Sequence, residues 1–197
     1  MFSLRLTLFS VVVLMCCCGA SLAQRPGPEF WRRLTCEPFE PRTKLEAFET
    51  KYGTVVFKGF TRITTVEVRD VRIDALEMRY LGNSNRATGV VVSLREPGER
   101  PRENRAFVDY EEIDALIKGI DAVSLANESM TKLAGFEARY RTLGDLEIEV
   151  FRQTRSGTAV TLSVGICDRV NLALTLDELG KIRAMIVEAK AKLDESK

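Results

Sequence analysis

The sequence predicts an α+β fold made of two ββββα units, with mainly antiparallel sheet and a helix closing each unit. Three observations carry this. A ten-residue segment occurs twice, both candidate units end in a capped amphipathic helix, and the residues between alternate polar with apolar. The first unit is expected over residues 43–126. The linker and second unit are expected over 127–197, and residues 43–197 together are expected to form one domain.

Ahead of the units, residues 1–23 read as a signal peptide. Arg5 supplies the charge, Leu6 to Cys18 supply an apolar core, and Ser21 and Ala23 supply small side chains two apart, so cleavage is expected between Ala23 and Gln24. The apolar core falls short of the roughly 20 residues of a membrane span, although a retained anchor is the competing reading. Lipid attachment at Cys16, Cys17 or Cys18 is not expected, because Met15, Cys16 and Cys17 stand where the modification wants a small residue. Residues 24–42 form an N-terminal arm. Its Phe30, Trp31 and Leu34, with Phe39, either anchor the arm on the body or present a partner-binding patch.

The first unit opens at Thr43-Lys44-Leu45-Glu46-Ala47-Phe48-Glu49-Thr50-Lys51-Tyr52. The segment Thr131-Lys132-Leu133-Ala134-Gly135-Phe136-Glu137-Ala138-Arg139-Tyr140 matches it at six of ten positions, too many for chance in a chain this short. Strands are expected over 53–60, 63–68, 71–81 and 88–94, with a turn at Gly82-Asn83-Ser84-Asn85. In the second unit, 145–151 alternates strictly, 158–164 alternates again after Arg155-Ser156-Gly157, and 170–174 leads into the last helix. Asp109 stands three before Glu112 and Thr175 three before Glu178, each pair with the form of a capping box. Ile113, Leu116 and Ile120 then match Leu179, Ile182 and Ile186, one helical face in each case. The shared start recurs after 88 residues and the shared helix after 66, so the first unit should have the longer strands and hairpins.

A duplicated four-strand-plus-helix unit resembles the topology of the Whirly and Pur-alpha type of single-stranded nucleic-acid binders. The Thr-Lys-Leu-x-x-Phe-Glu repeat is similar to an uncharacterised family of exported bacterial proteins. The first resemblance implies a single-stranded nucleic-acid binder, but the charge argues against it. Lys and Arg number 29 against 28 Asp and Glu, and loss of Arg5 with the leader leaves the protein neutral, without an electrostatic footprint for nucleic acid.

Histidine is absent, which removes Ser-His and Cys-His nucleophile pairs and most zinc sites. No Cys-x-x-Cys, phosphate-cradling loop or calcium loop occurs, and no cofactor, metal or catalytic residue is expected. Glu111, Glu112 and Asp114, with Asp177 and Glu178, belong to first helical turns, where carboxylates complement the helix dipole. Cys36 and Cys167 remain after cleavage and form a candidate disulfide, or else two separately buried thiols. Arg95, Arg100, Arg102 and Arg105 lie in a charged, proline-containing excursion, a solvated loop or a contact for an acidic partner. Asn127-Glu128-Ser129 fits the N-glycosylation pattern.

The function expected from these features is a non-catalytic binding or structural protein of the cell envelope or periplasm, meeting a protein partner or another copy of itself. The alternatives are the nucleic-acid binder and a carboxylate-based enzyme. The enzyme would need a concave pocket gathering acidic side chains of raised pKa.

Overall fold

The computed structural model describes residues 40–82, 84–133, 135–153 and 157–197. The chain divides into two bodies, Met1–Glu37 and Pro38–Lys197, and every described element, including both repeated units, lies in the second body. In order these are α1 (Lys44–Glu49), β1 (Val56–Arg62), β2 (Val71–Tyr80), β3 (Arg86–Glu96), β4 (Arg102–Asp109), α2 (Ile113–Ser124), β5 (Glu137–Arg141), β6 (Leu146–Gln153), β7 (Gly157–Val164), β8 (Val170–Leu174) and α3 (Leu176–Glu195). Single 3-10 turns occupy Tyr110–Glu112 and Glu128–Met130. The leader, the cleavage point at Ala23 and Gln24, Cys16 to Cys18, the arm's aromatic residues and Cys36 lie outside the described residues.

The fold is α+β, with two four-stranded antiparallel sheets, β1-β2-β3-β4 and β5-β6-β7-β8, each followed by a helix. Register shows how closely the units correspond. In the first sheet Thr61, Ala75, Val90 and Val108 pair across the four strands. In the second, Ala138, Val150, Val160 and Leu174 do the same. Asp70 and Asp145, just ahead of β2 and β6, both adopt left-handed backbone (φ 62° and 61°), a conformation that aspartate tolerates better than most residues. The first sheet has the longer strands, 7, 10, 11 and 8 residues against 5, 8, 8 and 5, as the unequal spacings require.

These registers correct the alignment of the two ten-residue segments. Thr43–Tyr52 contains α1, whereas the related stretch runs directly into β5. Three differences separate them. Glu46 completes a capping box with Thr43, and Ala134 stands in its place. Gly135 replaces Ala47, which costs about 1 kcal/mol in a helix. Asp109 accepts from the Lys44 and Leu45 amides at 2.7 and 3.1 Å, capping α1 from another strand, and its counterpart Thr175 caps α3 instead. Asp109 therefore does not cap its own following helix. α2 begins after the 3-10 turn without a side-chain cap, whereas the Thr175–Glu178 box is formed as expected.

Two strand assignments also change. Residues 63–68 are not a strand; Ile63, Val66 and Val68 pack onto the core from the β1–β2 connection, which explains their alternation. β4 rises out of the charged excursion instead. Its charge is matched across the ladder, with Glu103 opposite Arg95 and Arg102 opposite Glu96.

Each helix packs mainly on the sheet of the other unit. α2 lies against β5 and β6, and α3 against β2 and β3, with the two helices in contact. The units thus exchange helices over two sheets, rather than contributing strands to one continuous sheet. Among the described residues one bridge, Phe107 to Gly144, links the two ladders. One core results, in which Ile73, Val90, Val92, Ile148, Val160 and Leu162 meet both helical stripes. Gly119 of α2 lies so close to Tyr140 of β5 that an added Cβ would sit 2.4 Å from the ring.

Candidate functional site on the outer sheet faces

Alternation leaves each sheet a second face, turned away from the shared core. On the first sheet α1 covers part of it. Leu45 and Phe48 pack on Leu76, Met78, Ala87, Val91 and Phe107, a second small core. The Phe48 ring stacks on Tyr80 at 4.0 Å, and the Tyr80 hydroxyl donates to the Ala47 carbonyl. Gly89 is required beneath the helix, because a Cβ there would meet the Leu45 side chain at 2.8 Å and the Val108 carbonyl at 2.1 Å.

Among the described residues, no helix lies over the matching place on the second sheet. Cross-strand pairing makes Asp74–Val91–Phe107 equivalent to Glu149–Thr161–Ala173, and Leu76–Gly89 equivalent to Phe151–Ala159. Smaller or more polar residues replace Val91 and Phe107, and an open groove of about 500 Å³ lies over Phe151, Ala159, Thr161, Ala173 and Leu176. Asp177, exposed in the first turn of α3, stands at its rim. No six-residue connection like Thr50–Val55 separates Phe136 from β5, so the second unit has no slack to fold a helix back over this groove.

Beside both places the outer faces are charged, and the charges are paired. Arg62 and Arg72 hold Asp74 at 3.3 and 3.1 Å, and Arg72 donates to the buried Ser93 hydroxyl. At equivalent positions on the second sheet, Arg139 faces Glu149 at 3.7 Å. Glu147, only 6% exposed, lies among Arg139, Arg141 and Arg169. Asp145, 3% exposed, joins Arg42 at 3.0 Å to Arg141.

The four arginines singled out in the excursion do not converge. Arg95 is the second-last residue of β3, Arg100 lies in the hairpin turn and Arg102 pairs with Glu96. Arg105 pairs with Glu49 of α1 at 3.1 Å and stands 5.2 Å over the Phe107 ring. The acidic residues near α2 are dispersed in the same way. Glu111 pairs with Lys44, which holds its carboxyl below the usual range. Asp114 pairs with Lys190 of α3, and Glu112 accepts from the Leu143 amide at 2.9 Å while its other oxygen is buried without a partner. Burial pushes the Glu112 carboxyl up, and the nearby Asp109 adds to the effect. Burial also raises Glu149, with Glu137 and Glu147 adding to it and Arg139 opposing. Neither of these raised carboxyls lines the groove. Among the described residues no cluster of three or more His, Cys, Asp or Glu is placed to hold a metal ion, and no helix is long and apolar enough to cross a membrane.

Cys167, in the β7–β8 turn, is disulfide-bonded, while its candidate partner Cys36 is outside the described residues. The turn is fixed to the first unit by Asn104 of β4, whose side-chain amide donates to the Cys167 carbonyl at 2.8 Å.

The chain matches no protein-family model, no curated protein and no solved structure. The candidate site therefore rests on its own geometry. The groove escaped sequence reasoning because it is defined by what covers its twin. The signal for it was the change from Glu46-Ala47 to Ala134-Gly135, which marks one copy of the repeated segment as a capped helix and the other as not.

Proposed function

We propose that the protein is an exported, non-catalytic binding or structural component of the cell envelope or periplasm, which receives a short amphipathic segment of a protein partner on its second sheet. The observation behind this reading is the unequal cover of two corresponding faces. One holds Leu45 and Phe48 of α1, and the other is an open groove over Phe151, Ala159 and Ala173. α1 also indicates the chemistry that suits such a face, two apolar side chains three apart on one helical turn. Asp177 at the rim favours a basic residue beside them. The export signal and the lack of histidine fit a binding role.

The test is a fluorescence-polarisation titration with a labelled synthetic peptide of the chain's own residues 40–52, which carries the Leu-x-x-Phe spacing. Saturable binding that is lost on Ala173→Trp, with the unfolding midpoint of the variant unchanged, supports the reading. No polarisation change at millimolar protein, or binding indifferent to Ala173→Trp, overturns it.

A further inference from the structure

β1 leaves half of its backbone hydrogen-bonding groups turned away from its own sheet. The Leu81 amide donates to the Val55 carbonyl and the Ile63 amide to the Ile73 carbonyl, both at 3.0 Å. In an antiparallel pair the bonded residues alternate, so 55, 57, 59, 61 and 63 carry the bonds to β2. Val56, Lys58, Phe60 and Arg62 direct their N–H and C=O groups outward from the outermost strand. Six of the seven β1 residues are exposed. Apolar exposure also concentrates here, because Tyr52, Val55, Phe57, Phe60 and Leu81 all lie on or beside this edge.

Edges that must stay single are blunted by short length, proline, bulges or free charges. β1 runs seven residues without proline. Its two cations are each held by a carboxylate of the same chain, Lys58 by Glu49 and Arg62 by Asp74, but those carboxylates also pair with Arg105 and Arg72, so both cations keep net positive charge. Long and free of proline, the edge is open to another strand.

We infer that β1 pairs with β1 of a second copy, antiparallel about a two-fold axis at Gly59, joining two four-stranded sheets into one of eight strands. Charge selects this register. Outward residues must face outward residues, which leaves three long alignments, centred on Lys58, Gly59 or Phe60. Centring on Lys58 sets that lysine against its own copy, and centring on Phe60 sets Lys58 against Arg62, both like-charge pairs that destabilise a ladder. Centring on Gly59 places Val56 opposite Arg62 and Lys58 opposite Phe60, engages all four outward residues of each strand, and brings each cation against an apolar partner. Gly59 itself has nothing within 4 Å of its Cβ position, so a glycine meets a glycine at the axis without conflict. This surface lies on the first sheet and is independent of the groove on the second.

The test is sedimentation equilibrium of the purified protein, with two substitutions at the axis. Dimer is expected for the parent, and Gly59→Glu, which sets two carboxylates face to face, is expected to weaken association at least tenfold, with the unfolding midpoint unchanged when both proteins are diluted until monomeric. Gly59→Cys reports the register directly. The axial pair is not hydrogen-bonded, with Cα atoms about 4.5 Å apart, within reach of a disulfide. Oxidation should therefore give a covalent dimer on a non-reducing gel, while Val56→Cys should not. A parent that stays monomeric to about 0.5 mM, or a dimer that survives Gly59→Glu and fails to cross-link through Gly59→Cys, overturns the inference.

Discussion

Asp109 shows how one side chain can decide the fate of a segment far from it in sequence. Its carboxylate satisfies two free amides at the start of α1, and Asp109→Ala should destabilise the protein by about 1–2 kcal/mol. Thr175→Ala removes a conventional cap and should cost about 1 kcal/mol. Urea unfolding measures both, and amide exchange at Leu45 should rise only in the Asp109 variant. Glu112 acts in the opposite sense. Its native pKa is raised, so the folded state holds its proton more tightly than the unfolded chain does, and its contribution is favourable below the ordinary glutamate range. That contribution is lost as pH rises through the raised native value. Glu112→Gln should accordingly gain stability relative to the parent near neutral pH and lose that advantage in acid, as chemical denaturation across pH would show. Glu178, lowered by its bonds to the Thr175 backbone and hydroxyl, contributes above the ordinary glutamate range and fades as pH falls through its native value.

Among the elements, close approaches of glycine locate the joints. An added Cβ at Gly144 would stand 2.0 Å from the Phe107 carbonyl, at the bridge between the two ladders. Gly144→Ala should cost about 1–3 kcal/mol, the range for overpacking at a site with little room to give, read as a lowered urea midpoint. Most of the element plan was legible in the sequence. Both closing helices, the strands β2, β3, β6, β7 and β8, and the longer strands of the first unit followed from alternation, spacing and caps. The remainder was not, because local patterns there served non-local ends. Ile63 to Val68 alternates to reach the core from a loop, β4 is charged because its charges are met across the ladder, and the start of the second repeat resembles a helix it has lost the means to form. The outer-face site was hidden for the same reason. No residue in the groove carries a recognisable motif, and only superposed registers show Ala173 standing where Phe107 supports a helix.

At the scale of the whole fold, the charges on the outer faces are paired among the described residues. Arginines on both outer faces are held by carboxylates, from Arg62–Asp74 to Arg169–Glu147, and α2 is tied to α3 by Asp121–Arg183 and Asp114–Lys190. A labelled single-stranded oligonucleotide should therefore show no mobility shift even at low salt, where a cationic face would bind. Cys36 is the proposed partner of Cys167, and a non-reducing peptide map should recover the two in one cross-linked fragment. The exchange of helices sets a deeper constraint. A single unit cut free would own a sheet with no lid and a lid with no sheet, so two such pieces could fold only by trading. Tethering them in one chain makes the trade intramolecular, at an effective concentration on the order of millimolar. Fusion also relieves the siblings of any obligation to remain alike. One could keep its outer face shut while the other left its own open, a division of labour that an assembly of identical halves could never reach.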